Sequence, residues 1–555
     1  MHKIQFSIGK PSLSSAIWAG FILIFLLAGV IGHDPWKQDE TYSFGIIYHF
    51  LTTGSWLIPE NAGTPFMEKP PLYYWSAVIL CKLMGGLIPL PDCARLASFL
   101  YILIAMAFVR KIILMLYKDK YVVQEGLLLC LGSIGIARHC HDMFTDIALL
   151  TGCAIVLYAM ILLACRNECW KSAGIWLGIG MGMAFLSKGL FMPIVLTIGG
   201  VVLLIMRAEL RTRATARAVG ISLLVAAPFL FVWPVLLYQH SPALFMQWFW
   251  ENNIGRFLGF SVAKLGAANK PYFIISSVLW FAFPVFPLAV LAIWRARREW
   301  KKPELLLPLA ISVAGLILLS FSASARSLYL MPLIPAFAIL AVRGLQSVPD
   351  RFLRGWNKLI GLVGVLAVLV LWLIWFSLLP GHRLPQILPY VGTVFPLDFE
   401  PQRTQWLAMA VSVFAAWFFL HILRNSKSAP AIWFSAIAAA WITANTLLLP
   451  WIDETKSYRP VIAQLDEFIR HSDYKDVCMS EYFLGESIAP MLEYFDKEHT
   501  LAIVNSFDAA TCPLMLTVTG RNDPKEPYAG WKLLWKGSRA LDAKDEELRL
   551  YARNQ

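Results

Sequence analysis

The chain runs to 555 residues, 58% hydrophobic and only 15% charged, with 22 tryptophans. That balance excludes a soluble globule, whose core could not bury so much apolar surface, and indicates a polytopic membrane protein. The formal charge of +12 does not mark a nucleic-acid binder, because the basic residues gather in short clusters between apolar runs.

The first apolar run, 14–33, is followed by Asp34-Pro-Trp36 rather than by a small-residue cleavage site, so it reads as a retained span. Twelve more runs follow, at 92–110, 122–138, 146–165, 172–188, 190–206, 218–238, 272–294, 304–322, 328–345, 357–379, 405–423 and 431–450, for thirteen spans in all. Lysines and arginines collect on alternate connections: Lys3 and Lys10, Arg110 and Lys111, Arg166 and Lys171, Arg207 to Arg217, Arg295 to Lys302, Arg343 to Lys358, and Arg424 with Lys427. That side is expected to be cytoplasmic, which leaves the amino terminus inside and the segment from Ile452 onward outside.

The outward loops carry the unusual residues. In the first, 34–91, Asp39-Glu40 emerges at the end of a span, where ionisable groups are functional candidates; they also fit the start of a helix as caps. Two segments with helical periodicity, 42–52 and 71–84, are separated by a Gly/Pro turn at 61–65. Both are too short to span and too apolar for open water, so they are expected in the membrane interface. A second outer loop, 239–271, contains Glu251-Asn-Asn-Ile-Gly-Arg256; a third, 380–403, reads as an irregular lid.

From residue 452 the chain changes character. Arg459 opens an amphipathic helix, and 476–480, 501–505 and 513–518 read as short strands alternating with it and with 489–495, a small α/β domain. Seven of the nine cysteines lie at irregular spacing in the hydrophobic portion without a CxxC pair. Cys478 and Cys512 instead stand beside predicted strands of the outer domain, where an oxidising compartment favours a disulfide between them.

Five outward features are candidates to converge: Asp39-Glu40; the turn His139-Cys-His141-Asp142 running to Asp146; Glu68-Lys69-Pro-Pro-Leu-Tyr73-Tyr74; Arg256; and Arg326 with Tyr329. Lys69, a compact cation ahead of a helix amino terminus, suits a phosphate. Two carboxylates and several cations at one membrane face fit a site that holds a lipid phosphate or pyrophosphate and acts on a sugar attached to it. Each residue has a plainer alternative: Lys69 as a snorkelling side chain, Arg256 as the partner of Glu251, Asp142 as a helix cap. Glu68, His139 and His141 are the set to consider for a divalent metal, although lysine and arginine can stabilise a leaving phosphate without one.

Asp39-Glu40, Glu68-Lys-Pro-Pro-Leu-Tyr-Tyr-Trp75, His141-Asp-Met-Phe-Thr-Asp146, Leu186-Ser-Lys-Gly189 and Glu251-Asn-Asn-Ile-Gly-Arg256 together resemble the protein O-mannosyltransferase superfamily, and within it the bacterial 4-amino-4-deoxy-L-arabinose lipid A transferases. The resemblance implies a GT-C fold of about thirteen transmembrane helices (1–451) with a periplasmic α/β domain (452–555), in the bacterial inner membrane. It implies metal-independent inverting transfer of the sugar from undecaprenyl phosphate to lipid A phosphates, a lipopolysaccharide modification tied to polymyxin resistance. Asp39, Glu40 and Asp142 would be catalytic; Lys69, Arg256, Arg326 and Tyr329 would bind the donor phosphate; Tyr42, Glu68, Tyr73 and Tyr74 would contact substrate. A monomer surrounded by membrane lipid is expected. Transfer of a polyprenyl-phosphate hexose to a protein hydroxyl is the alternative reaction, and a lipid flippase the alternative to an enzyme. A flippase predicts charges buried mid-span or repeated broken helices, and the sequence has neither.

Overall fold

All thirteen apolar runs become helical, but not all are built to cross a bilayer alone. In this computed structural model, which describes residues 15–261, 272–381, 388–401, 405–475, 477–496, 501–504, 509–520, 528–542 and 546–554, eight helices are long and apolar enough. A ninth span forms if Phe273–Phe281 and Val285–Arg295, bent by 99° at their junction, are one crossing. The other four runs fall on Ser15–Leu27, on Lys120–Leu131 and Ile134–His139 broken at Gly132-Ser133, on Trp170–Lys188 and on Phe191–Met206. The sequence count of thirteen therefore stands as helices rather than as full-length spans. Lys3 and Lys10, and part of the lid segment (382–387 and 402–404), lie outside the described residues.

Thr145–Cys165 is the central helix, buried along most of its length and packed against Leu90–Tyr117 and Trp170–Lys188. Gly152 and Gly180 let two backbones touch: a Cβ on Gly152 would lie 2.9 Å from the Gly180 carbonyl oxygen, and one on Gly180 2.8 Å from that of Gly152. Alanine at either position would force the helices apart.

The first outer loop holds helices Asp39–Thr53 and Leu72–Met84, joined through the short hairpin β1 (Glu60–Asn61) and β2 (Thr64–Pro65). Leu72–Met84 keeps an apolar outer side, with Ile79 and Leu83 exposed, as an interfacial helix should. Asp39–Thr53 differs from expectation. Glu40 through Ile47 and Phe50 are all buried, because the carboxy-terminal domain covers the helix; its apolarity is core, not membrane interface.

That domain forms a five-stranded sheet of β3 (Met479–Tyr482), β4 (Leu501–Ile503), β5 (Leu514–Gly520), β6 (Trp531–Gly537) and β7 (Glu546–Arg553), in the order β4-β3-β5-β7-β6. β3 runs parallel to β4 and β5, while β5, β7 and β6 are antiparallel. Met479 pairs with Leu514, so Cys478 and Cys512 sit at the same end of adjacent strands and are joined in a disulfide, Cα atoms 5.3 Å apart. The domain grips the first loop at several points. Arg459 binds Asp34 with Nη2 2.5 Å and Nε 2.8 Å from its carboxylate oxygens, the Trp36 indole donates to Asp453 at 2.8 Å, Lys37 pairs with Glu546, and Tyr494 packs edge-on against Phe44 at 4.7 Å.

Candidate functional site

Asp39 and Glu40 are neighbours in sequence with different surroundings. Glu40 turns into the protein. Its Oε1 accepts from Arg95 Nε at 2.9 Å and from the Met143 amide at 3.1 Å, and its Oε2 accepts from the Trp36 amide at 3.1 Å. Arg95, fully buried, also donates to Asp92 Oδ1 (3.1 Å) and to the carbonyls of His33 (2.9 Å) and Asp34 (2.6 Å). Burial alone would raise the Glu40 carboxyl, but Arg95 and the hydrogen bonds around it hold it below the usual range. Glu40 thus ties the loop to Arg95 and does not line the cavity, unlike the catalytic position expected of it from the sequence.

Asp39 faces the other way. Its Oδ1 accepts from the Tyr42 hydroxyl at 2.6 Å, one helical turn on, rather than capping backbone amides. Lys69 Nζ donates to that hydroxyl and lies 4.7 Å from the centre of the Tyr42 ring. Burial pushes the Asp39 carboxyl up; Lys69, the Tyr42 hydroxyl, Arg326 and Lys188 outweigh it and keep Asp39 ionised.

Lys69 opens onto a cavity of about 310 Å³, with Glu68, Asp146, Lys188, Arg256 and Tyr329 around its polar part and Leu190, Phe191, Ile194, Leu318 and Leu319 along its apolar part. Arg256 holds Glu68 in a two-pronged pair, Nη2 to Oε1 at 2.9 Å and Nη1 to Oε2 at 3.1 Å, and not the nearby Glu251. Here burial would raise Glu68, and Arg256 with Lys69 brings it below its ordinary value. Lys188 pairs with Asp146 and stands 3.7 Å over the Tyr329 ring. Gly189 follows with φ of +79°, a conformation glycine tolerates, and the turn lets the Leu190 amide reach Asn253 Oδ1 at 3.3 Å.

Of the residues expected from the sequence, Asp39, Tyr42, Glu68, Lys69, Arg256 and Tyr329 therefore come together, with Arg326 close enough to act on Asp39 and Glu68. Asp39, Tyr42 and Arg326 stand beside the cavity rather than in its lining, and Asp142, Tyr73 and Tyr74, like Glu40, do not reach it. Asp142 pairs with His139 at 2.7 Å and keeps 38% of its side chain accessible; it is Asp146, one turn further, that lines the cavity. Asp142 does not cap the following helix: the N-cap position is Phe144, and the Asp142 carboxylate is bonded to His139. Tyr73 is fully buried and hydrogen-bonds Ser98 at 2.7 Å, and Ser98 bonds on to the Asp142 carbonyl. Tyr74 is fully buried beside it. The proposed metal set is dispersed as well: Glu68 lies on Arg256, His139 on Asp142, and His141 is buried, bonded to the Phe25 carbonyl at 2.8 Å and stacked on Trp441. Among the described residues no group of three His, Cys, Asp or Glu side chains is placed to hold a metal ion.

Lys188 and Asp146 line the cavity although the sequence reading named them only within motifs and gave neither a role. The signal was present, because Lys188 stands at the end of an apolar run where an ionisable group needs a reason. Counted together, Lys69, Arg256, Lys188 and Arg326 face Asp39, Glu68 and Asp146. Arg256 and Lys188 are each spent on a carboxylate, whereas Lys69 has no carboxylate in ion-pair range among the described residues. The arrangement leaves a surplus positive charge at the mouth of an apolar cavity, which suits an anionic head on a long hydrocarbon tail.

Residues 68–233 match the sequence profile of the family described as dolichyl-phosphate-mannose-protein mannosyltransferase. The chain is 24% identical over 360 residues to undecaprenyl phosphate-alpha-4-amino-4-deoxy-L-arabinose arabinosyl transferase 1 of Pseudomonas fluorescens; that alignment covers 61% of this chain and spans 60% of the relative's length. With the corresponding transferase of Yersinia pestis it shares 23% over 503 residues, 86% of this chain and 82% of the relative. Among solved structures, ArnT from Cupriavidus metallidurans bound to undecaprenyl phosphate superposes with a TM-score of 0.68 at 16% identity, covering 96% of this chain and 97% of that one. The same protein in its apo state gives a TM-score of 0.69 at 17% identity, with the same coverage. The chain has the GT-C fold of these membrane transferases, mostly helical with a small carboxy-terminal sheet domain.

Proposed function

We propose that this multi-pass membrane protein is a GT-C glycosyltransferase that moves 4-amino-4-deoxy-L-arabinose from undecaprenyl phosphate to a phosphate of lipid A, with site and carboxy-terminal domain on the periplasmic side of the bacterial inner membrane. The observation that carries the reading is Lys69, a cation free of any carboxylate partner among the described residues, at the polar end of a cavity otherwise walled by apolar side chains. The names of the relatives support the choice of donor and sugar.

In the reaction, an oxygen of the acceptor phosphate forms a bond to the sugar C1 from one face while the bond from C1 to the donor phosphate oxygen breaks on the other, so the anomeric configuration inverts. The electron pair of the broken bond leaves with undecaprenyl phosphate. Lys69 and Arg256 are placed to neutralise that charge where water is scarce and the attraction strong. The acceptor is already an anion and needs no base, so Asp39 acts by position: held ionised between Tyr42 and the cations, it can receive the amino group of the sugar. The cations would supply the electrostatic stabilisation of the leaving phosphate.

Purified protein in detergent tests this. It is expected to transfer the sugar from the synthetic donor to lipid A and to lose that ability as Asp39→Asn. Transfer to a protein hydroxyl instead of lipid A would point to the O-mannosyltransferase reaction, and lipid translocation without any transfer to a flippase.

A further inference from the structure

A second cavity, of about 470 Å³, lies at the other end of the bundle from the site. Helix Ser327–Leu345 connects the two: Tyr329 at its start lines the first cavity, and Leu345 at its end lines the second. The chain bends by 99° between Phe273–Phe281 and Val285–Arg295, and Phe283, Pro284, Leu288, Leu291 and Arg295 at and beyond the bend line this space. Its floor is apolar and aromatic. Phe283, Trp356 and Trp433 form a ring cluster with centres 5.3 to 5.9 Å apart, and Leu288, Leu291 and Val348 complete it.

The rim carries two arginines, Arg295 at the end of one helix and Arg351 in the first turn of Asp350–Leu378. Two neighbouring cations are paired, since Glu299 takes Arg343 at 2.6 Å and Lys302 at 2.8 Å. Arg295 and Arg351 have no carboxylate in ion-pair range among the described residues, although Asp350 adjoins one of them in sequence. The groove is continuous with a surface that lipid must cover, for Phe352, Leu359 and Leu362 on the same helix are all more than half exposed. Arg295 stands 4.9 Å over the Trp294 ring, and neither guanidinium is neutralised by a carboxylate; an apolar recess with two such cations at its rim calls for an occupant that is apolar along its length and anionic at its end.

We propose that this groove is a binding site for one anionic glycerophospholipid of the leaflet opposite the catalytic cavity, its phosphate held between Arg295 and Arg351 and an acyl chain lying on Trp356 and Trp433. Nothing in this rests on the transfer reaction. The guanidiniums attract the phosphate, and the aromatic floor removes the chain from the mobile bilayer.

The full-length protein in mild detergent, titrated with phosphatidylglycerol or phosphatidylcholine and read by native mass spectrometry and by thermal unfolding, decides the matter. Wild type is expected to retain one phosphatidylglycerol in preference to phosphatidylcholine and to gain Tm only with the former. R295Q/R351Q is expected to bind phosphatidylglycerol roughly thirtyfold more weakly, the loss of two cation contacts at a lipid surface, with unchanged Tm in phosphatidylcholine. R295K/R351K should keep most of the preference, and Leu291→Trp, which fills the floor without altering charge, should lose it. The proposal is overturned if wild type shows no preference, if R295Q/R351Q binds as wild type does, or if Arg354→Gln, outside the groove, costs as much.

Discussion

Glu40→Gln and Asp39→Asn are nearly isosteric substitutions at adjacent residues, and the structure predicts opposite kinds of damage. Glu40 accepts three hydrogen bonds, from Arg95, Met143 and Trp36. A glutamine there has one oxygen, so whichever way its amide is turned, at least one N–H donor meets another donor. Arg95 would also lose a buried counter-charge. Breaking a buried pair commonly costs about 3–5 kcal/mol; because Asp92 stays 3.1 Å from Arg95, the lower end applies, about 3 kcal/mol and a fall in Tm of several degrees. The sign with pH follows from the depressed folded value. The Glu40 contribution is complete above its ordinary pKa of 4.5 and is lost as pH falls through the lower folded value, so wild type and variant should converge in stability in acid. Asp39→Asn keeps the Tyr42 bond and gives up only charge near the cavity, so Tm should stay within about 1 kcal/mol equivalent of wild type while turnover falls on the order of a thousandfold or more. Thermal unfolding in detergent alongside donor turnover separates the two. A Glu40→Gln protein with wild-type Tm and no turnover would refute the division of labour.

Lys69→Ala should weaken donor binding or leaving-group stabilisation by about 2–3 kcal/mol, read as donor KM and kcat, because the other cations lining the cavity, Arg256 and Lys188, are already paired with carboxylates; unchanged constants would count against it. Arg256→Lys cannot reproduce the two-pronged contact now made to Glu68, so donor KM should rise about tenfold with Tm little changed. Asp146→Asn should impair turnover more than Asp142→Asn, since only Asp146 lines the cavity and holds Lys188; the reverse ranking in the same assay would show that the cavity is not where transfer occurs. Cys478→Ala with Cys512→Ala should lower the stability of the carboxy-terminal domain by on the order of 3 kcal/mol, followed by limited proteolysis of that domain, and free-thiol labelling of denatured, unreduced wild type should leave both cysteines unlabelled.

Much of this site is legible in the sequence because its residues stand where charge is out of place. Asp39, Lys69, Arg256 and Tyr329 are polar groups at the edges of apolar runs, and that position alone nominates them. What the sequence does not disclose is pairing. Glu40 reads like Asp39 until Arg95, 55 residues later and inside an apolar run, is found to claim it. Asp142 and Asp146 differ by a single turn, and the choice depends on how a six-residue helix, Ile134–His139, leads into the turn before them. The disulfide was readable because both cysteines adjoin alternating apolar stretches that pair directly. β6 and β7 were missed because Lys532, Lys536, Glu547 and Arg549 interrupt their apolar pattern; Glu547 then pairs with Arg549 and Lys536 within the sheet.

The burial of helix Asp39–Thr53 explains why a membrane-embedded site carries a polar domain at all. A carboxylate that acts by position has to be held from more than one side, and a loop emerging from a short helix such as Ser15–Leu27 is held from one. Here the bundle supplies Arg95, gripping Glu40 and the carbonyls of His33 and Asp34 from below, while the carboxy-terminal domain supplies Arg459 and Asp453, gripping Asp34 and Trp36 from above. Asp34 is the point where both grips meet, through its carbonyl on one side and its carboxylate on the other. It stands five positions before Asp39, so the orientation of that carboxylate is set jointly by two domains, through contacts made away from the cavity.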